Sequence, residues 1–66
     1  MKFYRITANG VQTVRGWATQ FQIPTFFLRA DVQGIISAEH AERVARDILT
    51  ASRPSCVFTI TASVEE

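Results

Sequence analysis

The chain has 66 residues and a mass of 7.4 kDa, which corresponds to one small domain over residues 1–66 and excludes a two-domain enzyme with a cleft between lobes. Apolar residues make up 47% of the sequence, too large a share for a disordered chain. The net charge of +1 conceals a division, because residues 1–30 carry four cations and no carboxylate, whereas residues 31–66 carry three Arg against six Asp and Glu.

The first predicted element is a β-hairpin that turns at Asn9-Gly10. Residues 2–8 are rich in aromatic and β-branched side chains, and residues 11–19 form the predicted return strand. Asn-Gly between two such runs favours a type I′ turn, because that turn needs positive φ at both central residues. The cation–aromatic pairs that this register predicts across the strands are Tyr4 with Arg15 and Lys2 with Trp17.

A third strand is predicted over residues 25–33. Pro24 lacks the N–H that a central strand donates, so residues 20–24 are interpreted as a bend or an edge segment. After it, apolar and polar residues alternate, which gives the third strand one apolar face. Gly34 ends this strand. The residues of its apolar face are Phe26, Leu28, Ala30 and Val32.

A helix over residues 38–51 and a strand over residues 56–64 complete the predicted elements. Ser37 is a suitable N-cap for the helix, since its hydroxyl can accept a hydrogen bond from a free backbone N–H. Arg53-Pro54 ends the helix, and the strand after it alternates in polarity. The predicted buried stripe of the helix consists of Ala41, Val44, Ala45, Ile48 and Leu49.

These elements predict an α+β fold of order ββ-β-α-β, with the helix packed on one face of a four-stranded sheet. A single helix covers only one face of a sheet. The other face is then unusually apolar for a surface in contact with solvent, which indicates a site for a partner. The apolar residues that this uncovered face is predicted to carry are Phe3, Val14, Phe27 and Val57.

The residue types that carry catalysis or bind metal are sparse in this sequence. His40 is the only histidine and has no second ligand at a known spacing. Cys56 is the only cysteine, which excludes an intramolecular disulfide and a thiolate zinc site. We therefore expect no enzyme activity, cofactor or metal, and we expect a reducing, cytoplasmic setting in which self-association adds stability.

Binding is the function that the composition favours. Arg, Trp and Tyr are enriched at interface hot spots, and a basic half can meet the acidic half of a second copy, so the sequence predicts a protein partner that includes itself as a homodimer. The alternative partner is a nucleic acid, with aromatic rings stacked on its bases. A third interpretation is that the aromatic residues have no binding role and fill the core. No apolar run is long enough to span a membrane. The predicted partner-binding residues are Phe3, Tyr4, Arg5, Arg15, Trp17 and Phe27.

The second half of the chain has a recognisable pattern. Residues 36–49, ISAEHAERVARDIL, follow an alternating strand and precede the acidic terminal strand VFTITASVEE of residues 57–66. Over residues 26–66 the chain resembles small uncharacterised accessory proteins of actinobacterial phages. The resemblance implies a non-enzymatic protein that contacts a host or phage partner in the bacterial cytoplasm. A structural component of a virion or another assembly is the remaining alternative.

Overall fold

A computed structural model describes residues 2–65 and shows an α+β fold with three strands rather than the predicted four. The strands form one antiparallel sheet in the order β2-β1-β3, and the longer helix, α2, packs across one of its faces. The elements are β1 (Phe3–Val14), β2 (Trp17–Arg29), α1 (Ala30–Gln33), α2 (Ala38–Ser52) and β3 (Cys56–Glu65).

The hairpin turns at Arg15-Gly16, so the predicted turn at Asn9-Gly10 is wrong. Arg15 and Gly16 have φ of 51° and 82°, the positive values that a type I′ turn requires, and Val14 pairs with Trp17 across it. Gly10 instead lies in the middle of β1, between Phe21 and Phe58 on the neighbouring strands. The Phe21 ring covers Gly10 so closely that a Cβ there would meet three of its carbons. Glycine is present for close packing and not for a turn.

Strand β2 joins the end of the predicted return strand, residues 17–19, to the predicted bend and to residues 25–29 of the predicted third strand, and it runs through Pro24. Residues 11–14 of the predicted return strand belong to β1 instead. The pairing of β2 with β1 shifts by one residue at Pro24, since Ile6 faces Phe26 but Ala8 faces Ile23. This bulge accommodates the proline. Because β2 is an edge strand, the missing N–H of Pro24 does not interrupt pairing with a further neighbour.

The predicted third strand ends four residues early, at Arg29. Ala30 N–H donates to the Lys2 carbonyl over 3.1 Å, and pairing with β1 ends there because β1 begins at Phe3. The chain then makes the single turn α1, which Gly34 closes in the left-handed conformation with φ of 65°. This reversal places Ile35 in the core.

Helix α2 begins at the predicted N-cap, and the Ser37 cap is confirmed. His40 N–H donates to Ser37 Oγ over 3.1 Å, which satisfies one free donor of the first turn. Ile36 N–H, just before the cap, donates to His40 Nδ1 over 3.3 Å. The helix ends at Ser52, one residue later than predicted. In the predicted stripe, Ile48 is 41% exposed and is not buried.

The core lies between α2 and the face of the sheet formed by the even-numbered residues of β1. Ala41 and Ala45 have no exposed surface, and such small side chains allow the helix backbone to approach the sheet closely. Strand β3 begins at Cys56, as predicted, and its alternation is directed inward at Phe58 and Ile60. Gly10 is buried as well, and the buried apolar side chains of the core are Tyr4, Ile6, Ala8, Leu28, Ile35, Ala41, Ala45, Leu49, Phe58 and Ile60.

The molecule is elongated, with extents of 44 × 16 × 15 Å. Strand β3 pairs with β1 only as far as Gln12, which faces Cys56. Beyond that pair the hairpin continues as an exposed two-stranded arm over residues 13–18. Among residues 2–65, no helix is long and apolar enough to cross a membrane.

Candidate interaction surfaces

The face of the sheet opposite α2 carries a shallow apolar groove at one end. We call it the end groove; it is lined by Phe3, Phe27 and Glu65 and has a volume of about 430 Å³. Phe27 is 57% exposed. Phe3 pairs with Glu65 across the β1–β3 ladder, while Phe27 faces Arg5 across the β1–β2 ladder, so three strands build the groove. Its apolar floor is open to solvent, since α2 packs on the other face.

Two ion pairs lie at or beside the end groove. Arg5 Nη1 lies 3.3 Å from Glu65 Oε1, and both side chains are about half exposed. Arg29 donates to both carboxylate oxygens of Asp31, over 3.2 and 2.8 Å. This hydrogen bonding from Arg29 is the main reason that the pKa of Asp31 is lowered from its ordinary value. Two of the four cations in residues 1–30 are thus already neutralised by carboxylates.

The hairpin tip, which we define as residues 14–17, is the second exposed apolar surface. Trp17 is 79% exposed and Val14 is 54% exposed, and the two side chains lie side by side as a cross-strand pair. They lie on the same side of the sheet as α2, but the helix does not extend far enough to cover them. Arg15 forms the turn itself and makes no ion pair within residues 2–65.

Between these two surfaces, the middle of the open face is mostly polar and includes Val11. A depression of about 420 Å³ lies there, and its lining combines four polar residues with three others; the lining residues are Asn9, Gly10, Val11, Gln20, Phe21, Gln22 and Thr59. Beyond it lies Val57, which is 71% exposed. The apolar character predicted for this face is therefore concentrated at its ends, with Val14 on the opposite side of the sheet.

Cations of the helical segment are engaged in packing. The guanidinium of Arg53 lies 4.7 Å from the centre of the Phe21 ring, which meets Phe58 edge to face at a centroid distance of 6.3 Å. Arg46 donates to the Phe58 carbonyl over 3.0 Å, which covers part of the free edge of β3. Arg46 therefore does not form the i,i+4 ion pair with Glu42 that helix spacing favours.

The six predicted partner-binding residues divide into three groups. Phe3, Arg5 and Phe27 come together at the end groove, and Arg15 and Trp17 lie at the hairpin tip. Tyr4 is 3% exposed and belongs to the core. For this residue, the alternative prediction that the aromatic side chains fill the core is confirmed. The predicted pairs of Tyr4 with Arg15 and Lys2 with Trp17 are wrong, because the true turn changes the register. The end groove also includes Glu65, which was missed.

The groups with catalytic potential are engaged or isolated. The ring of His40 accepts a backbone hydrogen bond at the start of α2. Cys56 is a free, half-buried thiol at the start of β3. Across the part of the chain that the structure describes, no three His, Cys, Asp or Glu side chains are grouped so as to hold a metal ion. Among the exposed apolar side chains, Phe27 lines the end groove and Val14 and Trp17 lie at the hairpin tip, while Val32, Ile36, Ile48, Val57 and Val64 are exposed elsewhere.

These features define a small α+β protein in which one helix covers one face of a three-stranded antiparallel sheet ordered β2-β1-β3. Comparisons with known protein families, with curated proteins and with solved structures found no match for this chain.

Proposed function

We propose that the protein is a non-enzymatic interaction module that binds other protein chains, a second copy among them. The observation that carries the proposal is the end groove, where Phe27 remains 57% exposed on a sheet face that no helix covers. Contiguous exposed apolar surface on a small protein marks a site of association, because covering it removes that surface from water. The same reasoning applies to Trp17 at the hairpin tip.

The charges near the end groove support a protein partner more than a nucleic acid. Glu65 lines the groove and Asp31 binds Arg29 beside it, so a phosphate chain would approach carboxylates as well as guanidinium groups. Mixed charge around an apolar centre is the usual composition of a protein interface. By analogy with phage accessory proteins, the partner belongs to a bacterial host or to the phage.

The proposal is tested by affinity capture from an actinobacterial host extract and by sedimentation of the purified chain. Phe27→Glu puts a charge in the end groove, so we expect it to abolish capture or self-association. Ile36→Glu is the matched control, because Ile36 is 87% exposed and lies outside the groove. Equal behaviour of the two variants, or the absence of any bound chain with wild-type protein, would refute the proposal.

A nucleic-acid ligand is the second candidate, and one observation favours it. Phe3 and Phe27 lie on an open sheet face beside Arg5 and Arg29, an arrangement suited to stacking on unpaired bases. Mobility-shift assays with single-stranded DNA and RNA over a salt series test it. Binding that strengthens as salt falls and is lost in Phe27→Ala supports this candidate; no binding at low salt excludes it.

A further inference from the structure

We infer that copies of this chain associate head to tail, with the hairpin tip of one copy docked in the end groove of the next. The inference rests on the proposed function and names its partner as a second copy. Both surfaces expose large apolar side chains, Trp17 and Val14 on one and Phe27 on the other. Contact between the two surfaces would therefore remove apolar side chains of both from water.

The tip and the groove of one chain cannot meet each other. Strand β1 has Phe3 in the groove and Val14 at the tip, and eleven residues of strand span about 36 Å. The molecule is 44 Å long and 16 Å wide, so the two surfaces lie near opposite ends of its long axis. Contact between them requires two molecules.

The side chains of the two surfaces are chemically compatible. Trp17 is held on the flank of a two-residue turn, so a projecting ring is presented with little loss of backbone freedom on binding. The end groove of about 430 Å³ is floored by the rings of Phe3 and Phe27, which suit offset or edge-to-face contact with an indole. Trp is one of the residue types enriched at interface hot spots, which lie in well-packed, desolvated pockets.

The charges of the two surfaces are complementary as well. Arg15 at the tip makes no ion pair within residues 2–65. Glu65 in the groove contacts Arg5 through Oε1 at 3.3 Å, and its side chain remains 43% exposed, so a second guanidinium can reach it. With Trp17 docked on these two rings, Arg15 of the incoming copy, two residues away, is within reach of this carboxylate. The contact therefore unites an aromatic anchor with an ion pair at its rim.

A contact between two different surfaces has a consequence for the assembly. Each copy that binds through its tip still has a free groove, so association does not stop at two chains. It continues as an open chain of molecules or closes as a ring. A two-fold dimer, by contrast, uses the same surface on both copies and leaves none free.

Two complementary variants test this arrangement by light scattering on purified protein at high micromolar concentration. Trp17→Ala removes the tip anchor and keeps the groove, whereas Phe27→Glu blocks the groove and keeps the tip. Wild-type protein is expected above twice the 7.4 kDa chain mass, and each variant alone at the chain mass. An equimolar mixture is expected at twice that mass, because one intact tip meets one intact groove and both remaining surfaces are disabled.

Controls separate this inference from other modes of association. Ile36→Glu should associate like wild type, and so should Val57→Glu, which charges the open sheet face outside both surfaces. Circular dichroism confirms that each variant is folded, as expected for substitutions at exposed positions. A monomeric wild type, or a mixture that stays monomeric while wild type associates, overturns the inference. A loss of association in Val57→Glu alone also overturns it and leaves the proposed interaction function standing.

Discussion

Replacement of Gly10 by alanine tests the packing that defines this fold. A Cβ at this position would lie 2.6 and 2.9 Å from Cε2 and Cε1 of Phe21, and closer still to Cζ. Alanine in a strand is otherwise preferred to glycine by roughly 0.5–1 kcal/mol, because it loses less backbone entropy on folding. The sign of the effect therefore depends on whether the Phe21 ring can move away without cost.

The neighbours of the Phe21 ring make that movement costly. The ring meets Phe58 edge to face at 6.3 Å, and the Arg53 guanidinium lies over it at 4.7 Å. These contacts are worth roughly 0.5–1.5 and 0.5–1 kcal/mol respectively. Their loss, with the strain of an overfilled site, outweighs the entropic gain, so we expect Gly10→Ala to destabilise the protein by about 1–3 kcal/mol.

Urea unfolding followed by far-ultraviolet circular dichroism measures the effect, and a double-mutant cycle identifies its cause. In a Phe21→Ala background there is no ring to displace, so Gly10→Ala should become neutral or stabilise by up to about 1 kcal/mol. A change of sign between the two backgrounds is the expected result. Equal destabilisation in both backgrounds would show that glycine is needed for its backbone conformation, and the reasoning would be wrong.

Three further predictions concern the helix cap, an ion pair and the helix–sheet contact. Ser37→Ala removes the acceptor of the His40 N–H and should cost about 1 kcal/mol in urea unfolding, whereas Ser37→Asp should retain most of the stability. Arg29→Gln should return the pKa of Asp31 upward toward 3.8 in a carbon-detected NMR titration. Because that pKa is lowered in the folded protein, the stabilisation from Asp31 is complete above 3.8 and is lost as the pH falls through the folded value; an unchanged titration in Arg29→Gln would contradict the assignment. Ala45→Leu should lower the free energy of unfolding by roughly 1–3 kcal/mol, since Ala45 lies on the buried face of α2 with no exposed surface, and an unchanged melting temperature would show that the helix can move away freely.

The elements that depend on neighbouring residues were predictable from the sequence, and those that depend on distant ones were not. The Ser37 cap and the inward alternation of β3 are local signals, and both are confirmed. Two glycine-containing pairs compete for the hairpin turn, Asn9-Gly10 and Arg15-Gly16. Local preference favours the first, but only the second leaves Gly10 free to pack beneath Phe21. That contact joins residues on different strands and has no sequence signature.

The misplaced hairpin turn also determined how much of the candidate site could be predicted. Phe3 and Phe27 were assigned to one face from their position within each strand, and the structure places both at the end groove. Trp17 was paired with Lys2 and comes to the far end of the molecule once the turn moves by six residues. Glu65 could have been included. The even-numbered residues of β3 face the core, so the odd-numbered ones, Val57 and Glu65 among them, lie on the open face.

The central position of β1 also determines the order in which the fold can assemble. Its pairing with β2 closes a loop of only two residues, whereas its pairing with β3 joins residues 3–12 to residues 56–65. Hairpins form within microseconds, while contacts between distant segments wait for a larger loss of chain entropy. We therefore expect β3 to dock last, bringing Phe58 and Ile60 onto a hairpin that already exists. Until that step, β1 has an unpaired edge, so the slowest event in folding is also the one that removes the site most prone to misassociation.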